Sequence, residues 1–162
     1  MAHRLFEFPM PASAAVAFDA FHHHHWRSRW DSLVKNTQVV GGAPCPYVGA
    51  ITENTGRGLL SALQMRTEFV SYDRPRVAAA RMLGTSFPFR RWAASMQHRD
   101  TDAHSSVLIY TYTFEAGPGP LGRLIEPVVE WVFIRQTRRR FQRMQRFLAS
   151  HADEIALWQQ TQ

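Results

Sequence analysis

The chain has one cysteine, Cys45, and one lysine, Lys35, among 162 residues. A lone thiol closes no intrachain disulfide, so nothing in the cysteine usage calls for an oxidising compartment. No apolar run approaches the roughly 20 residues that cross a hydrocarbon core as a helix. Residues Met1 to Pro9 show no basic leader followed by an apolar core of signal-peptide length, and the expected location is cytoplasmic. Repeats, low-complexity tracts and linker-like segments are missing too. The expectation is one domain over 1–150, with 151–162 extending the last helix or fraying as a tail. Metal-ligand spacing is also scarce. In His22-His23-His24-His25 successive helical side chains point about 100° apart, so only His22 and His25 share a face. A zinc site needs further ligands, and Cys45 is the only thiol. The expectation is therefore exposed histidines, no metal and no dissociable cofactor.

What is present is a globular composition with a basic surface. The 45% hydrophobic content places the chain well away from the disordered class. Formal net charge is +6, and every basic residue of the 19 except Lys35 is arginine. Guanidinium groups are weakly hydrated and pair bidentately with carboxylate or phosphate, so such a surface tolerates partial burial.

The order of elements reads as strand, two short helices, six strands, long helix. His3–Phe8 is a short strand stopped by Pro9 and Pro11, which lack the amide donor of a central ladder. Ser13 offers an N-cap oxygen to a helix over Ala14–Phe21, and a second short helix covers Trp26–Ser32. Strands follow at Val34–Val40 and Val48–Asn54, the latter closed by Gly56 and Gly58. Leu63–Tyr72, Val77–Leu83, Arg90–Arg99 and Ser105–Glu115 complete the set. Three of these alternate with period two, the mark of an antiparallel sheet with one wet face and one buried face. In the last strand Leu108, Tyr110, Tyr112 and Phe114 are assigned inward, because Glu115 and the threonines suit solvent.

After the hinge Gly117-Pro118-Gly119-Pro120 a helical stretch runs from about Leu121 to Ala149. Pro127 fits the first turn of its main part, where a missing amide costs nothing. Leu121, Leu124, Ile125, Val128, Trp131 and Val132 form one stripe; Ile134, Phe141, Met144 and Leu148 form a second, rotated one. Two accounts stay open: a first half facing a cavity with a second half facing the sheet, or a kink near Arg135–Thr137. Six arginines lie between Arg135 and Arg146, and no acid occurs from Trp131 to Ala152. Like charges four residues apart cost roughly 0.2–0.5 kcal/mol per pair, so some should meet carboxylates elsewhere or an anion.

The residues Trp30-Asp31-Ser32-Leu33-Val34, Val48-Gly49-Ala50, Phe69–Pro75, Arg91-Trp92-Ala93, Tyr110–Phe114 and Phe141–Leu148, in this element order, resemble the START-like helix-grip (SRPBCC) superfamily. Within it the likeness is to the polyketide cyclase/dehydrase-like or coenzyme Q-binding-like branch, over His3 to Ser150. The resemblance implies an α+β fold: a curved antiparallel sheet of about seven strands wrapped around a long C-terminal helix, with two short helices after the first strand. It also implies an apolar cavity between sheet and helix that takes a lipid, quinone or polyketide-like molecule. Met65, Phe69, Trp92, Met96, Tyr110, Tyr112, Phe114, Val128, Trp131 and Val132 are the expected lining.

Two other functions compete with a carrier. A cyclase/dehydratase-type lyase needs only a positioned base and an oxyanion donor, for which His98, Tyr110 and Tyr112 are the candidates. Alternatively Arg138, Arg139, Arg143 and Arg146 offer an anion or partner surface for RNA, the ribosome or an anionic membrane.

Overall fold

In a computed structural model of the chain, which describes residues 1–56, 64–117 and 119–162, seven antiparallel strands form one sheet against a 42-residue helix. In chain order the elements are β1 (Ala2–Met10), α1 (Ala14–His22), α2 (His24–Arg27), β2 (Val34–Val39), β3 (Ile51–Gly56), β4 (Gln64–Asp73), β5 (Val77–Leu83), β6 (Phe89–Asp102), β7 (Ser105–Ala116) and α3 (Gly119–Gln160). Strands β2 to β7 form a meander, and β1 adds to its far edge beside β7. This is the helix-grip fold. Gly58, Leu63 and Pro118, named above as turn, strand and hinge positions, lie outside the described residues.

Register irregularities bend the sheet. They fall between Val34 and Asn36, Phe69 and Ser71, Phe89 and Arg91, and Asp100 and Asp102. Each extra residue bends its strand and increases the local twist, which curls the sheet towards α3. Pro9 does not stop β1, because an edge strand has one side free of ladder bonds and tolerates a missing donor.

Alternation sets the inner face. On β7 Leu108, Tyr110, Tyr112 and Phe114 are each at most 2% exposed, as their parity predicts. The C-terminal half of α3 lies on this aromatic row through Phe141, Met144, Leu148 and Ile155, all fully buried. Phe141 meets Phe8 at 4.7 Å and Tyr110 at 5.3 Å between ring centroids. On the other side Ala17, Ala20 and Phe21 of α1 belong to the same core.

The start of α3 is tied to the sheet by polar contacts. Glu126 accepts from the Ala116 amide and from the N-terminal amine, and Arg4 donates to Glu130. Gly122 sits so close to the end of β7 that a Cβ there would collide with the Ala116 carbonyl oxygen.

Two expectations about the helices need correction. Pro127 lies inside α3 and not in a first turn, because the helix already begins at Gly119; the missing amide removes one bond of a ladder that continues on both sides. The second short helix ends at Arg27 instead of Ser32, because Trp30 turns in to donate from Nε1 to the Ala20 carbonyl at 2.8 Å and Asp31 is buried. Beyond Ala149, α3 continues to Gln160, where Gln159 donates to the Ala15 carbonyl.

Phe141→Ala should destabilise the fold by about 3–5 kcal/mol, since it empties the centre of the helix–sheet contact. Urea unfolding measures this; a loss below about 1 kcal/mol would mean that α3 is not locked by that ring.

Candidate functional site

Between the N-terminal half of α3 and strands β3 to β6 lies a cavity of about 260 Å³. Strand parity puts Trp92, Ala94 and Met96 of β6 and Ala78 and Ala80 of β5 on its floor. Ala80 and Ala94 are direct cross-strand partners, so two methyl groups stand where larger residues would fill the space. Met65, Thr67 and Phe69 of β4 and Thr52 and Asn54 of β3 form one wall. Val129, Val132, Phe133, Gln136, Thr137 and Arg140 of α3 form the roof.

Polar groups at this wall satisfy one another on the β3–β4 side: Thr52 and Thr67 share a hydrogen bond of 2.7 Å, and the Asn54 amide donates to Thr52 at 3.3 Å. The α1–α2 end differs. Here Phe21, His22, His24 and Arg27 line the cavity together with Arg140 and Tyr110. Arg27 and Arg140 both donate to one oxygen of Asp31, at 2.9 Å and 2.5 Å. The other Asp31 oxygen accepts from the Leu33 amide. Burial alone would raise the Asp31 carboxyl, but Arg140 and Arg27 outweigh it and hold the group at about 2. Burial lowers Arg27 to about 10, with Arg140 acting in the same direction and Asp31 opposing.

His22 corrects the expectation of exposed histidines. It is 3% exposed and faces the cavity, with rings of Phe18 and Phe21 at 4.3 Å and 5.0 Å. His22 lies one turn after Phe18 on the same row of α1, a helix buried at every residue from Val16 to His22. Neither ring nitrogen of His22 has a hydrogen-bond partner among the described residues. Burial, then His98 and Arg27, push its pKa well below the ordinary histidine range, so it is neutral near pH 7. His24, half-buried and also at the cavity, is lowered to about 4 by burial and by Arg27.

Of the residues expected to line the cavity, Met65, Phe69, Trp92, Met96, Tyr110 and Val132 do so. Tyr112 and Phe114 belong instead to the solid core, stacked on each other at 5.7 Å and covered by Phe133. Val128 and Trp131 point outward, 64% and 62% exposed. The stripe Leu121, Leu124, Val128 and Trp131 is thus the outer face of α3. Running back from Phe141 in steps of four gives Thr137, Phe133 and Val129, and this row meets the cavity.

Among the candidate catalytic residues, Tyr110 alone reaches the cavity. His98 is buried behind it, 6.4 Å from His22 and edge-on to Phe18, with both nitrogens unpartnered among the described residues. Burial lowers its pKa to about 4. Arg138, Arg139, Arg143 and Arg146 are exposed, and Arg140 is the arginine of that series that turns to the site. Among the described residues no group of three or more His, Cys, Asp or Glu side chains could hold a metal ion.

The sequence profile of the family described as polyketide cyclase/dehydrase and lipid transport matches residues 7–149. No curated protein sequence matches the chain. Solved structures share the fold at low identity. An aromatase/cyclase from Streptomyces superposes with a TM-score of 0.78 at 12% identity, covering 93% of this chain and 94% of its own. A Thermus thermophilus protein gives 0.74 at 11% identity, with 93% and 99% covered. Norcoclaurine synthase from Thalictrum flavum, solved with dopamine and hydroxybenzaldehyde, gives 0.66 at 12% identity, with 93% and 87% covered.

A pH dependence follows from the buried histidines. Their folded pKa values lie below the unfolded value, so the unfolded chain takes up protons first as pH falls. Stability is full above about pH 6.5 and is lost on the way down to about 4, by on the order of 3 kcal/mol for His98 alone. His98→Leu should flatten this fall in urea titrations between about pH 7 and pH 4.5. An equal slope in wild type and variant would show that His98 is not held neutral.

Proposed function

The chain belongs to the polyketide cyclase/dehydrase and lipid-transport family, and on that premise we propose that it binds and carries a hydrophobic small molecule in the cavity between the sheet and α3. The observation that carries this reading is the floor of Ala78, Ala80 and Ala94 beneath Phe133 and Val129, a set of apolar side chains that leaves room instead of filling it. Binding sites for small molecules are mostly apolar with a few placed polar groups, and this wall has that make-up. At about 260 Å³ the space suits a compact ligand, or part of a longer one that passes Val132, which is 40% exposed at the rim.

A second reading draws on His22 and Tyr110, which line the same space. A neutral imidazole can take a proton and a phenol can steady an oxyanion, the two groups a cyclase/dehydratase-type lyase requires. Conversion of a bound polyketide by wild type but not by His22→Ala would favour it over carriage alone.

Nile red, a neutral apolar dye, should bind the purified protein and be displaced by whatever apolar compound is extracted from it. Ala94→Phe should weaken dye binding by roughly tenfold or more while the melting temperature holds or rises, because the ring occupies the ligand's space. Absence of dye uptake together with absence of any co-purified apolar compound would overturn the carrier reading.

A further inference from the structure

The charges around the cavity do not balance. Its lining includes two charged arginines, two histidines held neutral and, among the described residues, no aspartate or glutamate. Asp31 stands behind the wall and neutralises one guanidinium, not two. Its Oδ2 already receives Nε of Arg27 and both Nε and Nη2 of Arg140, while Oδ1 is taken by the Leu33 amide. A fourth donor has no room there. The terminal nitrogens of Arg27 have no hydrogen-bond partner among the described residues, and the 12% of its side chain that stays exposed leaves them open to the cavity it lines.

These groups are also fixed in place. Both guanidinium carbons lie over the Phe21 ring, at 4.5 Å for Arg27 and 4.8 Å for Arg140. Stacking and the shared carboxylate together hold two planar donors at the α1–α2 end of the cavity. His22, buried and unpartnered among the described residues, faces the same end. Two largely buried guanidiniums that share one carboxylate are under-compensated, and a partner that brings a negative oxygen recovers that cost.

We propose that the cavity receives an amphipathic acid: an apolar body over the alanine floor, with one carboxylate accepted by Arg27 and Arg140 at the α1–α2 end. Planar guanidinium forks match a carboxylate bidentately, which sets the head-group and the direction of entry at once. His22 stands beside the head-group as a further donor. The proposal deepens the carrier reading and rests on it.

The test compares matched ligands by isothermal titration: octanoate against octanol, and naphthoate against naphthamide. Wild type should bind each acid at least about tenfold more tightly than its neutral partner. Arg27→Met keeps the Arg140–Asp31 pair and removes the surplus charge; by weakening the acid, it should bring acid and neutral affinities to within about threefold. Circular dichroism melts check that the variant is folded, and the wild-type comparison stands without it. Equal binding of acid and neutral partners by wild type, or an equal loss of both in the variant, would overturn the head-group proposal while leaving the carrier reading intact. Failure of all four ligands and of Nile red would instead remove the carrier reading itself.

Discussion

A helix is a straight rod and this sheet is curved, so α3 can touch the sheet closely along only part of its length. Contact is made at the C-terminal half, where Phe141, Met144 and Leu148 are fully buried against β7, β1 and α1. Once that half is seated, the direction of the rod is fixed, and its earlier turns stand over the part of the sheet that curls away. The cavity is therefore a consequence of where α3 is anchored. Glu126 and Glu130 hold the near end through the Ala116 amide and Arg4 without drawing it into the sheet, since polar contacts at the edge impose a distance that apolar packing would not.

Asp31 connects this geometry to electrostatics. It joins the end of the short-helix segment to α3, pairing with Arg27, four residues before it, and with Arg140, 109 residues after it. A buried carboxylate is expensive, and its two cations are what keep it charged. Burying a second guanidinium to achieve this leaves a positive excess on the cavity side. The same excess lowers His22 and His24, adding to what burial does. Structural need and ligand recognition are thus served by one cluster, and a hydrophobic replacement of all three residues would keep the packing while erasing the polarity of the cavity.

The strands were legible because alternation has no competing explanation: Trp92, Ala94 and Met96 against Arg91, Ala93 and Ser95 can be placed only one way once one face is wet. The helix was harder. Leu121, Leu124, Val128 and Trp131 make an apolar stripe as regular as the one that is buried, yet it faces outward. Periodicity finds a stripe, not the surface it meets, and two stripes on one rod leave the choice to tertiary packing. The row Val129, Phe133, Thr137 was obscured because its members differ in polarity. Arg140 was hidden among five similar neighbours, and only the position of Asp31 distinguishes it. His22 reads in the sequence as part of a polar run, yet it follows Phe18 by one turn on a helix that is buried all round.

The alanines of the floor bear most directly on why the interior is not solid. A space lined by alanines forfeits the contacts that larger side chains would make there. Leucine or phenylalanine at position 80 or 94 would recover part of that, and both positions already lie inward on strands that pack large residues elsewhere. A bound apolar body recovers it as well, and does so only while bound. The fold's stability is then coupled to occupancy, because a ligand that binds the native chain and not the unfolded one stabilises it by mass action. The small side chains at the floor and the unbalanced arginines at the end are two costs with one remedy: a molecule that is apolar along its length and negatively charged at one terminus.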